Sequence, residues 1–420
     1  MLKFIFEPKN RFFKRMWSAQ LISQFGDRIH QMALIGLIAE RAPGSAVQLA
    51  KLISFTIIPV FVVGPIAGVF VDRWDRRKIL LVCDLLRACM VILIPFIFIR
   101  WHSMIPIYIL VFLIFCCSRF YIPAKMAIIP DLVTKDNLLV ANSLMTTTGM
   151  IAFVMGCALG GFLVEIMGAR GGFIIDAVTF LVSGLLIASI SKDFHLHLHR
   201  KEILDTGREF LKVEKSVWKE IKEGVLYLKG MKEIRFVITM MFVLMAAAGA
   251  IYVVIIVFVQ EAFHSMSKLG ILAVFLGLGL FIGALAYGRW GRKYLWYRVI
   301  FFCLIFGGMM IVAFAVIVKF HPVFIGACGL GFLLGLIIGP VFIAANTITH
   351  MVADKKMRGK VFTALEIVIH FAFLVSMLIS SFLSEYIGRC WILMGVGLIF
   401  SFIGVIGTIK YRKGDLKVIQ

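Results

Sequence analysis

Four polar side chains interrupt an apolar stretch near the start of the chain. Gln20, Gln24, Asp27 and Gln31 recur at intervals of three or four, which lines them up on one face of a helix. A charge near the centre of a bilayer costs about 2.5–3.5 kcal/mol on insertion scales, so an acid there invites a functional reading. Asp27 is suited to carry a proton or bind a cation, and Arg28 and His30 flank it. A structural pair with Arg28 or Arg119 is the competing reading. Arg119, deep in a later apolar stretch, suits an anionic group. Glu366 and His370, spaced i, i+4, form a second proton-relay candidate. Asp84 and Arg87, spaced i, i+3, read as a self-paired helix face. Asp176 lies only a few residues from the end of its apolar block. His195, His197 and His199 alternate in a polar connection, where a solvated loop is favoured over a metal site. The sequence shows no nucleophile–base pair, metal-ligand set or phosphate loop. No cofactor, no metal and no enzyme are therefore expected, and an ATP-driven pump would need a nucleotide-binding module besides.

The elements that carry these residues are membrane spans. Of the 420 residues 61% are hydrophobic and 16% charged, against about 45–50% and 25% in soluble domains. The apolar residues fall in blocks of roughly 20, long enough as helices to cross about 30 Å of hydrocarbon. Helices are the natural reading, since they leave no backbone group unpaired in lipid. Twelve spans are predicted, at 16–40, 46–71, 78–100, 104–127, 137–165, 171–190, 234–261, 267–288, 297–318, 322–351, 361–385 and 391–409. The fold class is thus an all-α membrane protein.

The net charge of +21 sits between the blocks, which points to topology signals and anionic-lipid contacts rather than nucleic acid. One side collects Lys3 to Arg15, Arg73 to Lys78, Arg289 to Lys293, Lys355 to Lys360 and Lys410 to Lys417. The other side holds single cations such as Arg41, Arg100, Arg170, Lys268, Lys319 and Arg389. That asymmetry predicts both termini in the cytoplasm of a multi-pass protein of the cell (inner) membrane. No cleavable signal peptide is expected, because a basic amphipathic start runs straight into the first span. The eight cysteines lie mostly inside apolar stretches and read as packing residues.

Residues 191–233 are the one long connection, and 210–228 read as an amphipathic helix on the inner leaflet. The division predicted is an N-terminal six-helix bundle at 1–190, a cytoplasmic linker at 191–233 and a C-terminal six-helix bundle at 234–420. Phe162-Leu163-Val164-Glu165-Ile166-Met167-Gly168 closes the fifth span and Phe382-Leu383-Ser384-Glu385-Tyr386-Ile387-Gly388 the eleventh. Gly68-x3-Asp72-Arg73 with Arg77-Lys78 follows the second span, and Gly283-x3-Tyr287-Gly288 with Arg292-Lys293 the eighth. Two matches at equivalent spans point to duplicated halves, a transporter plan with its substrate site between the repeats.

Gly68 to Lys78, reading GVFVDRWDRRK, resembles the cytoplasmic signature of the major facilitator superfamily. Its continuation Asp84-Leu85-Leu86-Arg87-Ala88 looks like the drug-efflux branch with macrolide and siderophore exporters. The stretches Gln20 to Asp27, Pro123-Ala124-Lys125, Pro130-Asp131-Leu132-Val133, Phe173 to Ala177 and Glu223 to Leu228 are similar to that branch as well. The resemblance implies two pseudo-symmetric six-helix bundles and export of an amphipathic organic solute by alternating access with proton antiport. A lysophospholipid or lipid carrier of the superfamily is the alternative, because the PAK segment is shared with flippases. A non-transporting sensor or scaffold is the alternative of another class. The signature is read as a conformational latch, with Gly68 admitting a neighbouring helix. Asp72 would face the N-terminus of the eleventh span, and Arg73, Arg76, Arg77 and Lys78 would supply cations for acids such as Asp131. Gly156, Gly160 and Gly161 resemble the exporter motif, with Cys157 where proline is expected, and Ser376, Ser380 and Ser381 fall at the equivalent points. Partners expected are a small-molecule or lipid substrate, protons and membrane lipids, with no nucleic acid and a monomeric state.

Overall fold

A computed structural model describes residues 4, 7, 10–100, 103–190, 232–291, 296–352 and 358–410. Each apolar block is helical. The helices are α1 (Arg11–Arg41), α2 (Ala46–Val62), α3 (Gly64–Arg73), α4 (Arg76–Arg100), α5 (Ile105–Leu132) and α6 (Leu138–Ala188). They continue as α7 (Lys232–Phe263), α8 (Met266–Trp290), α9 (Trp296–Phe320), α10 (Phe324–Val352), α11 (Arg358–Ile387) and α12 (Arg389–Lys410).

Two details depart from one helix per span. The second span is broken at Val63 into α2 and α3, with Pro65 in the first turn of α3, where its missing N–H leaves nothing unpaired. The fifth and sixth spans run together as α6, in which only Gly168 leaves helical geometry (φ 72°, ψ 173°). The chain nevertheless turns back there, since a Cβ on Gly172 would touch Val164. Gly388, after α11, also has positive φ (95°). Both glycines close the repeated seven-residue segment, and a side chain at either would be strained. Among the described residues, nine helices are long and apolar enough to cross a membrane by length and composition alone, with α6 counted once. Polar residues dilute α1, and α2 is short at 17 residues. With α6 divided at Gly168 and α2–α3 joined, the helices supply twelve spans.

The chain folds as two compact units, residues 1–37 with 52–219 and residues 38–51 with 220–420. In the first unit α4 packs on α5 and α6, and α3 on α5. Its core gathers Met16, Leu80, Tyr121, Ala124, Ile128 and Ile187. α1 lies against the fifth span through small residues, because Cβ atoms on Gly156 and Gly160 would meet Arg28, Ile29 and Met32.

In the second unit α8 pairs with α10, α9 with α12 and α7 with α11. Gly279 and Gly283 sit on the backbone of Phe332 and Leu336, while Gly335 and Gly339 sit on Leu276 and Leu280. That close approach lets dispersion hold helices together where lipid removes the hydrophobic drive. Gly249 faces Phe373 and Ser376, and Ser380 Oγ donates to the Ala250 carbonyl at 2.6 Å. The segment 38–51 is tied in by Glu385, which accepts from Ser45 Oγ at 2.9 Å and Val47 N at 3.1 Å. Arg389 holds the same segment by donating to the Gly44 carbonyl, and pairs with Glu261.

Candidate functional site

The polar chemistry of the first unit centres on Asp27, in the middle of α1. Its side chain keeps 42% of its accessible surface. Gln24, Arg28 and Gln31 are also part-exposed, whereas Gln20 is buried. Arg28 donates to Gln31 Oε1 at 2.9 Å and lies over the Phe153 ring at 4.9 Å. Gln24 approaches the fifth span beside Gly149. The sequence offered Arg28 or Arg119 as the partner of Asp27, and the structure supplies Arg87 of α4. Arg87 Nη1 stands 3.9 Å from Asp27 Oδ1. Arg119 is half-buried on α5.

Arg87 is itself sealed, with 3% of its side chain accessible. It is ion-paired and hydrogen-bonded to Asp84, one turn earlier on α4. The expected i, i+3 pairing therefore forms, but inside the unit rather than on a helix face. Ser183 of α6 donates to Asp84 Oδ2 at 2.6 Å. The Tyr121 and Phe180 rings flank the guanidinium, each centroid 4.2 Å from its carbon, an arrangement that stabilises a desolvated cation.

Asp176, eight residues past the turn at Gly168, faces the protein interior. It is fully buried against α1. Gly26 makes room, because a Cβ there would strike Asp176 and Thr179. His30 Nδ1 lies 2.9 Å from Asp176 Oδ2, close enough for charge contact although misaligned for a hydrogen bond. Phe173 meets the imidazole edge-on at 5.3 Å. Arg87, Asp176, Arg28 and His30 all stand close enough to Asp27 to act on its carboxylate electrostatically.

On α11, His370 Nδ1 lies 2.8 Å from the Glu366 carbonyl and 3.3 Å from Glu366 Oε2, and both side chains are accessible. In the basic signature, Arg76 pairs with Asp131 at 2.8 Å and donates to the Ala127 carbonyl at 3.1 Å. Asp75 caps α4 by accepting from Arg77 N at 2.9 Å and Lys78 N at 3.3 Å. Gly68 has open space before it: an added Cβ would meet nothing within 4 Å among the described residues, where the sequence reading placed a helix. Arg73 is exposed. The Asp72 side chain, the three alternating histidines and the amphipathic segment 210–228 lie outside the described residues. Gly161 is buried in the fifth span.

Sequence reasoning missed Ser183, Tyr121 and the joining of Arg87 to Asp27. One signal was available. Two opposite charges in a span of 25 residues cannot both face lipid cheaply, so Asp84 and Arg87 had to turn inward to partners.

Twelve helices, nine of them long and apolar enough to cross a membrane among the described residues, define a polytopic membrane protein with a buried ion network in its first unit. The family model described as Major Facilitator Superfamily matches residues 16–364 and 236–415, and the chain belongs to that superfamily of transporters. It is 26% identical over 363 residues to the MFS-type transporter YkuC of Bacillus subtilis (strain 168), covering 84% of this chain and 81% of that one. It is 23% identical over 292 residues to macrolide efflux protein A of Streptococcus pyogenes, covering 67% of each. A bacterial homologue of the iron transporter ferroportin, solved in an inward-facing state, shares the fold. Its TM-score is 0.72 at 13% identity, covering 96% of this chain and 99% of that one.

Proposed function

We propose that the chain exports an amphipathic organic solute by alternating access, driven by proton antiport, with Asp27 as the carboxylate that takes the proton or a cationic group of the solute. One observation carries this reading: an acid in the middle of a span keeps 42% of its side chain accessible. An ionised acid at that depth is costly unless it has work or a partner. Arg28 and Gln31 extend the accessible polar face, and aromatic Phe153 beside them offers an apolar surface. The likeness to macrolide efflux protein A supports the outward direction.

In this reading bundles 1–190 and 234–420, joined by 191–233, rock about the site in the cell (inner) membrane, with both termini cytoplasmic and the carrier a monomer among lipids. The basic run Arg73 to Lys78 with Asp131 serves as its inner latch, and Glu366 with His370 as a second proton relay. The test is solute accumulation in everted vesicles from cells expressing wild type or Asp27→Asn. Wild type accumulates a macrolide or cationic dye until the proton gradient is collapsed, and the variant, equally abundant, does not. Accumulation that survives collapse of the gradient removes the coupling, and movement of labelled lysolipid instead of dye reassigns the substrate.

A further inference from the structure

One buried guanidinium serves two carboxylates in the first unit. Arg87 is engaged with Asp84 and lies 3.9 Å from Asp27, beyond hydrogen-bond reach of the second acid. The two acids differ in every other respect. Asp84 is sealed and accepts from Ser183 at 2.6 Å, while Asp27 is accessible. A guanidinium is planar, with donors on more than one edge, and here its carbon lies 4.2 Å from the ring centroids of both Tyr121 and Phe180. A small swing of the guanidinium would carry the cation from one acid toward the other.

Among the described residues, the groups that act on Arg87 come from four helices. From α4 come Asp84 and the Cys83 thiol, from α1 Asp27, and from α5 Tyr121, Cys117 and Lys125. From α6 come Ser183 and the Phe180 ring. Asp27 is further influenced by Asp176, Arg28, His30 and Lys125. Asp84, Arg87 and Asp27 together carry a net −1 when both acids are ionised and are neutral once Asp27 is protonated or holds a cation.

We infer that Arg87 is an exchangeable counter-ion, drawn back to Asp84 and Ser183 while Asp27 is protonated or occupied, and closing on Asp27 when that acid is ionised and empty. Asp84 and Ser183 are then positioning residues that set the pH at which Asp27 exchanges its proton. This inference rests on the reading of Asp27 as the coupling acid. It also specifies the substrate chemistry: a cationic solute displaces both the proton and the guanidinium.

The test follows the pH dependence of Asp27 modification by a hydrophobic carbodiimide, which reacts with the protonated carboxyl. The full-length protein is used in liposomes and the labelled peptide is quantified by mass. Asp84→Asn frees Arg87 for Asp27 and moves the labelling midpoint about one pH unit lower, the size of effect an opposite charge exerts nearby. The double variant Asp84→Asn/Arg87→Gln removes the cation without stranding a buried charge, and moves the midpoint upward by a similar amount. Unmoved midpoints overturn the inference. Should Asp84→Asn not fold, the double variant decides alone, and a midpoint that fails to rise refutes the counter-ion. Transport in the same liposomes separates the two ideas. Labelling that shifts while transport ignores pH removes proton antiport and leaves the counter-ion standing. Labelling that stays fixed while transport is proton-driven does the opposite.

Discussion

The two units repeat the same helix pairings with opposite interiors. Where α4 meets the sixth span, Ser183 donates to a buried carboxylate. At the equivalent seam of the second unit, Ser401 donates to the Ile305 carbonyl at 2.9 Å, and Gly308 and Gly397 bring α9 and α12 into backbone contact. The first unit buries His30, Asp84, Arg87 and Asp176. Among the described residues, the buried polar side chains of the second are Ser380, Ser381 and Ser384. A cavity of about 120 Å³ there is walled by Met241, Leu244, Met245, Ile311 and Phe400. The packing repeats, and among the described residues the buried charged side chains sit in one copy.

The largest effect that would break this comparison is expected at Arg87. Replacing it with Leu leaves Asp84 sealed and unpaired, which costs about 3–5 kcal/mol. The detergent-solubilised variant should melt far below wild type, and Asp84→Asn/Arg87→Leu should recover most of the loss. Equal stability of Arg87→Leu and wild type would mean the network is not buried. In the second unit the sensitive places are seams. Gly283→Val pushes a side chain onto the Leu336 backbone and should cost about 1–3 kcal/mol by overpacking, measured by the same melt. Ser380→Ala removes one interhelical hydrogen bond, worth about 0.6 kcal/mol in membrane proteins. Smallest is Asp131→Asn. Both partners of the Arg76–Asp131 pair are substantially accessible, so the loss should stay below about 1 kcal/mol and shrink in high salt.

Much of the fold was legible because membrane spans follow local rules. Block length and the lack of backbone partners in lipid gave the helices, and the repeated segments ending at Gly168 and Gly388 marked two turns that need positive φ. The site was less legible, since its decisive contacts join residues far apart in the chain. Spacing alone showed that Asp84 and Arg87 would meet, and likewise Glu366 and His370. Nothing in the spacing brings α4 to Asp27, so neighbouring Arg28 was the natural guess. Counting residues from a span end placed Asp176 along its helix but could not show what it packs against. Its burial follows from Gly26, whose missing side chain lets α1 close over it.

The turn at Gly168 has a mechanical consequence. A reversal made at one residue leaves almost no connecting chain, so the two arms of α6 must lie side by side at that corner. One arm presses Gly156 and Gly160 on α1, and the other carries Asp176 and Ser183. Lengthening that corner by a few flexible residues is therefore expected to loosen the seat of both arms on α1 around Asp27, read as a lower melting temperature.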